Sequence, residues 1–252
     1  MIHREDRNGV AVIRIDHGKA NTLDAELLQA IARELEAVEH DRQLRALVLT
    51  GSNEMFSAGV DLFRFLDGGD AYLDTFFHTM VECFRRLFQF ARPVVAAVNG
   101  HAIAGGCVLA AAADYRVMGR PGGTIGVPAL KVAIPFPTAA IEILRFATST
   151  RHLQQLVYLG RSYAPEEARE VGLVDELVEH DTLRERALEV AEQLGSMPEA
   201  RFGITKRQLR APSIDRIERS ASTIDPEVLA GWKAPETHAA LRAYVESRGL
   251  GK

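Results

Sequence analysis

Cysteine is scarce: two occur in 252 residues, Cys83 and Cys107, each among apolar neighbours and without metal-ligand spacing. That shortage excludes a disulfide scaffold and predicts a reducing compartment, the cytoplasm, with no metal site. Positive charge is not in excess either. Thirty Lys and Arg stand against 34 Asp and Glu, a formal net charge of -4, so no nucleic-acid partner is expected. No apolar run is long enough to cross a bilayer; the nearest, Ala102 to Ala113, is short and mostly Ala and Gly. The opening Met1-Ile2-His3-Arg4-Glu5-Asp6 is charged throughout, so neither a signal peptide nor a membrane association is expected. No Gly-X-Gly-X-X-Gly follows the first strand pattern, which removes a dinucleotide-binding reading.

What is present is an alternation of strand and helix signals. Val10 to Ile15 and Arg45 to Thr50 read as strands. Between them Leu27, Leu28, Ile31, Leu35 and Val38 recur at helical spacing, with Asp24 ahead of them. Tyr72 to Phe90 reads as a long helix stopped before Pro93, and Val94 to Val98 as the next strand, turned by Asn99-Gly100. Short strands are expected at Tyr115–Met118 and Leu173–Val178, and helices at 137–146, 151–159, 165–171 and 183–194. Beyond Pro198 only helical patterns remain, with Pro212, Pro226 and Pro235 as punctuation. The chain therefore divides into an α/β core, 1–197, and a helical C-terminal segment, 198–252. Leu229, Trp232, Leu241 and Tyr244 in that segment need a surface to pack on, and a neighbouring subunit is one candidate.

Two segments carry the chemistry. One is Phe56-Ser57-Ala58-Gly59-Val60-Asp61-Leu62; the other runs from Pro93 through Asn99-Gly100-His101-Ala102-Ile103-Ala104-Gly105-Gly106-Cys107. In each, a strand meets small residues and glycine at the start of a helix, where backbone N–H groups lack intrahelical acceptors and the helix dipole is positive. Two such turns face to face could hold an oxygen that gains negative charge. Taken singly, each turn is more often a packing feature than a site.

Together these segments resemble the double signature of the crotonase (enoyl-CoA hydratase/isomerase) superfamily. Gly18-Lys19-Ala20-Asn21-Thr22-Leu23 and the later Tyr163–Ala168 and Gly172-Leu173-Val174-Asp175 are similar to further elements of that family, in the same order. The resemblance implies a crotonase-like ββα superhelical core with an all-helical C-terminal oligomerisation segment, assembled as a homotrimer or homohexamer. It implies an acyl-CoA thioester as partner, with coenzyme A entering as part of the substrate and no separate cofactor. The implied oxyanion donors are the main-chain N–H groups of Val60 and Gly105. Substrate contacts are implied at Ala20, Ala58, Val60, Asp61, Leu62, Ile103, Gly105, Gly106, Pro128 and Ala129.

The chain departs from the family where its hydratases carry two water-handling glutamates: Val108 follows Gly-Gly-Cys, and Ala129 follows Gly126-Val127-Pro128. Hydration then has no evident base, whereas double-bond isomerisation needs a single proton carrier. Glu142 and His101 are the candidate replacements, although an ion-paired helix residue and a satisfied turn histidine are the plainer readings. Asp61 reads as a loop tie and Cys107 as a small core residue. The expected function is isomerisation of an enoyl-CoA through a stabilised enolate. The alternatives are a non-catalytic acyl-CoA-binding homologue and another lyase of this type, a dehydratase or decarboxylase.

Overall fold

A computed structural model describes residues 1–249. The chain opens with β1 (Ile2–Arg7) and β2 (Val10–Ile15), an antiparallel hairpin, then the short β3 (Thr22–Leu23). The following helix, α1 (Ala25–His40), starts where Asp24 accepts the Leu27 N–H at 2.7 Å and buries Leu27, Leu28, Ile31, Leu35 and Val38 along one face. Next come β4 (Ala46–Thr50), β5 (Met55–Ser57), β6 (Gly59–Val60), α2 (Leu62–Asp67) and α3 (Gly69–Gln89). They lead to β7 (Val94–Val98), β8 (His101–Ile103), α4 (Gly105–Ala111), β9 (Tyr115–Arg120) and β10 (Ile125–Gly126). After a 3₁₀ turn at Pro128–Val132 follow α5 (Thr138–Ala147), α6 (Thr150–Tyr158), β11 (Ser162–Tyr163), α7 (Pro165–Glu170) and β12 (Glu176–Glu179). Four helices end the described chain: α8 (Leu183–Gly195), α9 (Glu199–Ser220), α10 (Ile224–Lys233) and α11 (Pro235–Ser247).

The strands sort into three sheets. The large one has the order β1-β2-β4-β7-β9-β12, parallel except for the β1 hairpin. Burial on both faces explains the unbroken apolar runs of β4 and β7. The second sheet has the order β11-β10-β8-β5, and β3 pairs with β6 alone. This is the mixed α/β core with a helical C-terminal segment that the sequence predicts.

The C-terminal segment packs on its own chain. Trp232, Leu241, Val228 and Val245 belong to the same apolar cluster as α1, α3 and the large sheet. Trp232 is 1% exposed and sits against Phe65, Phe76 and Phe77; burial of such a ring contributes about 2–3 kcal/mol. The surface that these tail residues need is supplied by the chain's own core, so a neighbouring subunit, one candidate in the sequence, is not required to cover them. α9 is pinned by charge: Lys206 Nζ donates to Asp114 at 2.6 Å, Arg210 donates to the other Asp114 oxygen at 2.8 Å, and both also satisfy main-chain carbonyls. This anchoring accounts for one correction, since Pro212 lies inside α9 and does not end it.

Candidate functional site

The first glycine turn is built by side chains that spend themselves locally. Ser57 is buried; its Oγ donates to the Asn21 carbonyl at 2.7 Å and accepts the Gly59 N–H at 3.1 Å. Gly59 sits at φ +84, a left-handed conformation open to glycine. Ala58 N–H donates to Ala20 O at 2.9 Å, and Asp61 N–H to Leu23 O at 3.0 Å. Leu23 pairs with Val60 in a parallel ladder. With the Leu23 carbonyl taken by Asp61, the Val60 amide faces away from β3. The Asp61 carboxylate caps α2, accepting from Phe63 and Arg64 N–H at 3.0 Å each and from Thr22 Oγ1 at 3.3 Å.

The second turn is tighter. Ala104 takes φ 50, ψ -115 between β8 and α4, and its N–H donates to Gly126 O at 2.8 Å. Gly105 is the first residue of α4, so its N–H has no intrahelical acceptor. The two turns touch. A β-carbon on Gly59 would lie 2.6 Å from Ile103 O and 3.0 Å from Gly105 N; one on Gly105 would lie 2.7 Å from Leu23 Cδ1. A β-carbon on Gly106 would strike Ser57 O at 2.3 Å. The glycines are required because two backbones meet here.

Both turns open on one cavity of about 800 Å³. Ala58, Val60 and Leu62 line it from the first turn, and His101, Ile103 and Ala104 from the second. Pro128, Ala129, Lys131, Val132 and Ile134 form a wall, with Thr124, Gly160 and Ser162 beside it. Tyr244 and Arg248 on and after α11 close another side. Of the residues expected to contact substrate, Ala58, Val60, Leu62, Ile103, Pro128 and Ala129 lie on this lining. Ala20, Asp61, Gly105 and Gly106 do not; they hold the turns from behind, and Gly105 directly follows the lining residue Ala104. Sequence reasoning missed Thr124, Lys131, Ser162, Tyr244 and Arg248. Their approach to the site depends on pairing in the second sheet and on helix docking, which leave no local pattern.

The wall is held by the C-terminal helices. Trp232 Nε1 donates to Pro135 O at 2.9 Å, and Thr237 Oγ1 to Ala133 O at 3.3 Å. Asp225 accepts the N–H of Thr138, the first residue of α5, at 2.8 Å.

Both candidate proton carriers already have protein partners. Glu142 is 4% exposed on α5, away from the cavity lining, with its carboxylate held by Arg145 at 3.0 Å and Arg216 at 2.5 Å. Two guanidiniums commit its side chain to the α5–α9 contact. His101 does line the cavity, but its Nδ1 accepts the Thr124 N–H at 3.0 Å. The neutral ring therefore carries its proton on Nε2 and offers the cavity a donor, with no free lone pair. Val108 is 2% exposed inside α4. Burial pushes the Cys107 thiol up to about 12, which leaves it inert. No Asp or Glu lines the cavity among the described residues.

A fold of this architecture, with paired glycine turns over a cavity, is that of the crotonase class. Human mitochondrial delta3-delta2-enoyl-CoA isomerase superposes with a TM-score of 0.94 at 27% identity, covering 100% of this chain and 99% of that one. An enoyl-CoA hydratase/isomerase from Xanthobacter autotrophicus Py2 superposes with a TM-score of 0.86 at 26% identity, over 98% and 96% of the two chains. Mouse mitochondrial enoyl-CoA delta isomerase 1 is 31% identical over 219 residues, 86% of this chain and 76% of that protein. The chain belongs to the enoyl-CoA hydratase/isomerase family, whose sequence model matches residues 5–250.

Proposed function

We propose that this protein binds an acyl-CoA thioester and shifts a double bond in its acyl group through an enolate. The observation that carries the reading is the contact between the Gly59 and Gly105 turns at the edge of one large cavity. The Val60 and Gly105 N–H groups supply two donors for the thioester oxygen as it becomes negative. Isomerisation removes a proton from the carbon next to the carbonyl, passes the electron pair to that oxygen, and returns a proton at the far end of the allylic system. Hydration also requires an activated water. A lining without carboxylates weighs against hydration more heavily than against isomerisation. The isomerase names of the mouse and human relatives support the same choice.

Coenzyme A enters as part of the substrate in this reading, with no separate cofactor. The missing carboxylates also favour a second reading, a binding protein that retains the oxyanion donors without turnover. Assays with 3-hexenoyl-CoA and crotonyl-CoA decide between them. Conversion of the first to its 2-enoyl isomer with little hydration of the second supports isomerisation. Tight binding of both without consumption supports the binding protein, and efficient hydration of crotonyl-CoA overturns both.

A homotrimer or homohexamer is the assembly we propose. Leu209 and Phe146, exposed at 65% and 40%, border one cavity, and Tyr158 and Leu159 are exposed together at the end of α6. Light scattering that finds a monomer at micromolar concentration would remove this. No described helix is long and apolar enough to cross a membrane. A cytoplasmic location is a proposal resting on two unpaired buried cysteines, set against relatives named as mitochondrial.

A further inference from the structure

The second sheet presents the cavity with a polar face that the enolate chemistry does not use. Ile103, Gly126 and Ser162 are in register across β8, β10 and β11, so Ile103 and Ser162 share a face with a glycine between them. Two residues back along β8 stands His101, hydrogen-bonded to Thr124. Lys131 lines the same cavity from the 3₁₀ turn. Its stem crosses Gly160, where a β-carbon would lie 3.1 Å from both Cγ and Cε of the lysine. Gly160 takes φ +56, so a glycine suits its backbone as well as the passage of that stem. Lys131, Ser162 and His101 are all exposed at the mouth of the cavity, and among the described residues neither Lys131 Nζ nor Ser162 Oγ has a side-chain hydrogen bond or ion pair. The His101 Nε2–H, fixed by its tautomer, adds a third donor. The other cation on the lining, Arg248, stacks on Tyr244 at 5.6 Å on the α11 side.

We propose that Lys131, Ser162 and His101 form a second anion subsite, which selects acyl groups carrying a carboxylate remote from the thioester. The substrate class is then the CoA half-thioester of an unsaturated dicarboxylic acid. This rests on the isomerase reading for its turnover and on the cavity lining for its binding. The cavity mouth thus offers an anion three donors and no acidic side chain, a contact that a hydrocarbon tail cannot use.

The test compares 3-hexenoyl-CoA with the CoA half-thioester of 3-hexenedioic acid, equal in chain length, in the wild type, Lys131→Met and Lys131→Arg. The wild type is expected to prefer the carboxylated substrate by about three- to fivefold in kcat/KM, the size of one exposed ion pair. Lys131→Met removes that preference and Lys131→Arg keeps it. Equal kcat/KM for the two substrates in the wild type overturns the proposal. So does an equal loss on both in Lys131→Met, which would assign the lysine to the phosphates of coenzyme A. Should neither substrate turn over, the isomerase reading fails, and calorimetric binding of the same pair still reads the preference.

Discussion

A β-carbon added to Gly59 would lie 3.0 Å from the amide nitrogen of Gly105, so the two glycine turns meet at the site with no space for a methyl group. Gly59→Ala would also force alanine into φ +84. The expected result is a loss of about 1–3 kcal/mol of stability and a larger loss of turnover, because the Val60 donor is displaced. Chemical denaturation and kcat measured side by side check this; a variant that keeps wild-type turnover removes the oxyanion assignment.

The two positions without carboxylates differ in what they can accept. Ala129 is half-buried and lines the cavity, so Ala129→Glu places a carboxylate beside the substrate and should raise isomerase turnover, by up to the 100-fold or so that general bases contribute. Val108 is buried in α4, and Val108→Glu should yield unfolded or aggregated protein, since an unpaired charge there has no partner. Thermal melts and initial rates on the pair decide it. A folded, active Val108→Glu would show that α4 borders the cavity.

Glu142→Gln should leave turnover within about twofold while lowering stability by about 1–2 kcal/mol, because it discharges a buried carboxylate held by two arginines. A large drop in kcat with unchanged stability would return Glu142 to the catalytic list.

Burial lowers the Lys206 ammonium to about 8 from the ordinary lysine value of 10.5, against the opposing pull of Asp114. Between those values the unfolded chain holds a proton that the native chain has released, so this group's contribution to stability rises with pH across that window. Below about 8 both states are protonated and the cost of the buried ammonium is fully present. Denaturation of the wild type against Lys206→Met through the alkaline range should show the wild type gaining relative to the variant. A flat difference, or a gain for the variant, sinks the assignment.

The long elements were legible because their periodicity is local. Val10–Ile15 is a strand from end to end, and α3 differs from its expected range of Tyr72–Phe90 by starting at Gly69 and ending at Gln89. The second sheet was not. Its strands, such as Ile125–Gly126 and Ser162–Tyr163, are two or three residues long and gain their structure from partners distant in sequence. Val60 and Gly105 were marked by glycine, which announces close backbone approach. The polar lining was hidden for the opposite reason. Lys131 reads as an ordinary surface lysine, and only the pairing of β10 with β8 and β11 shows what stands beside it. His101 illustrates the remaining gap: its lone pair is engaged by Thr124, a contact 23 residues away that no spacing rule supplies.

The restraint on the cavity wall also sets an order in time. Ala133 and Thr237 are 104 residues apart, and Pro135 and Trp232 are 97 apart. During synthesis the glycine turns and the wall leave the ribosome well before the helices that hold the wall in place. A nascent chain can therefore bring the two glycine turns together while the compartment around them is still open. The wall lacks its Trp232 and Thr237 hydrogen bonds until α10 and α11 emerge, so a chain stalled between the two sets of residues should bind an acyl-CoA less tightly than the full chain does.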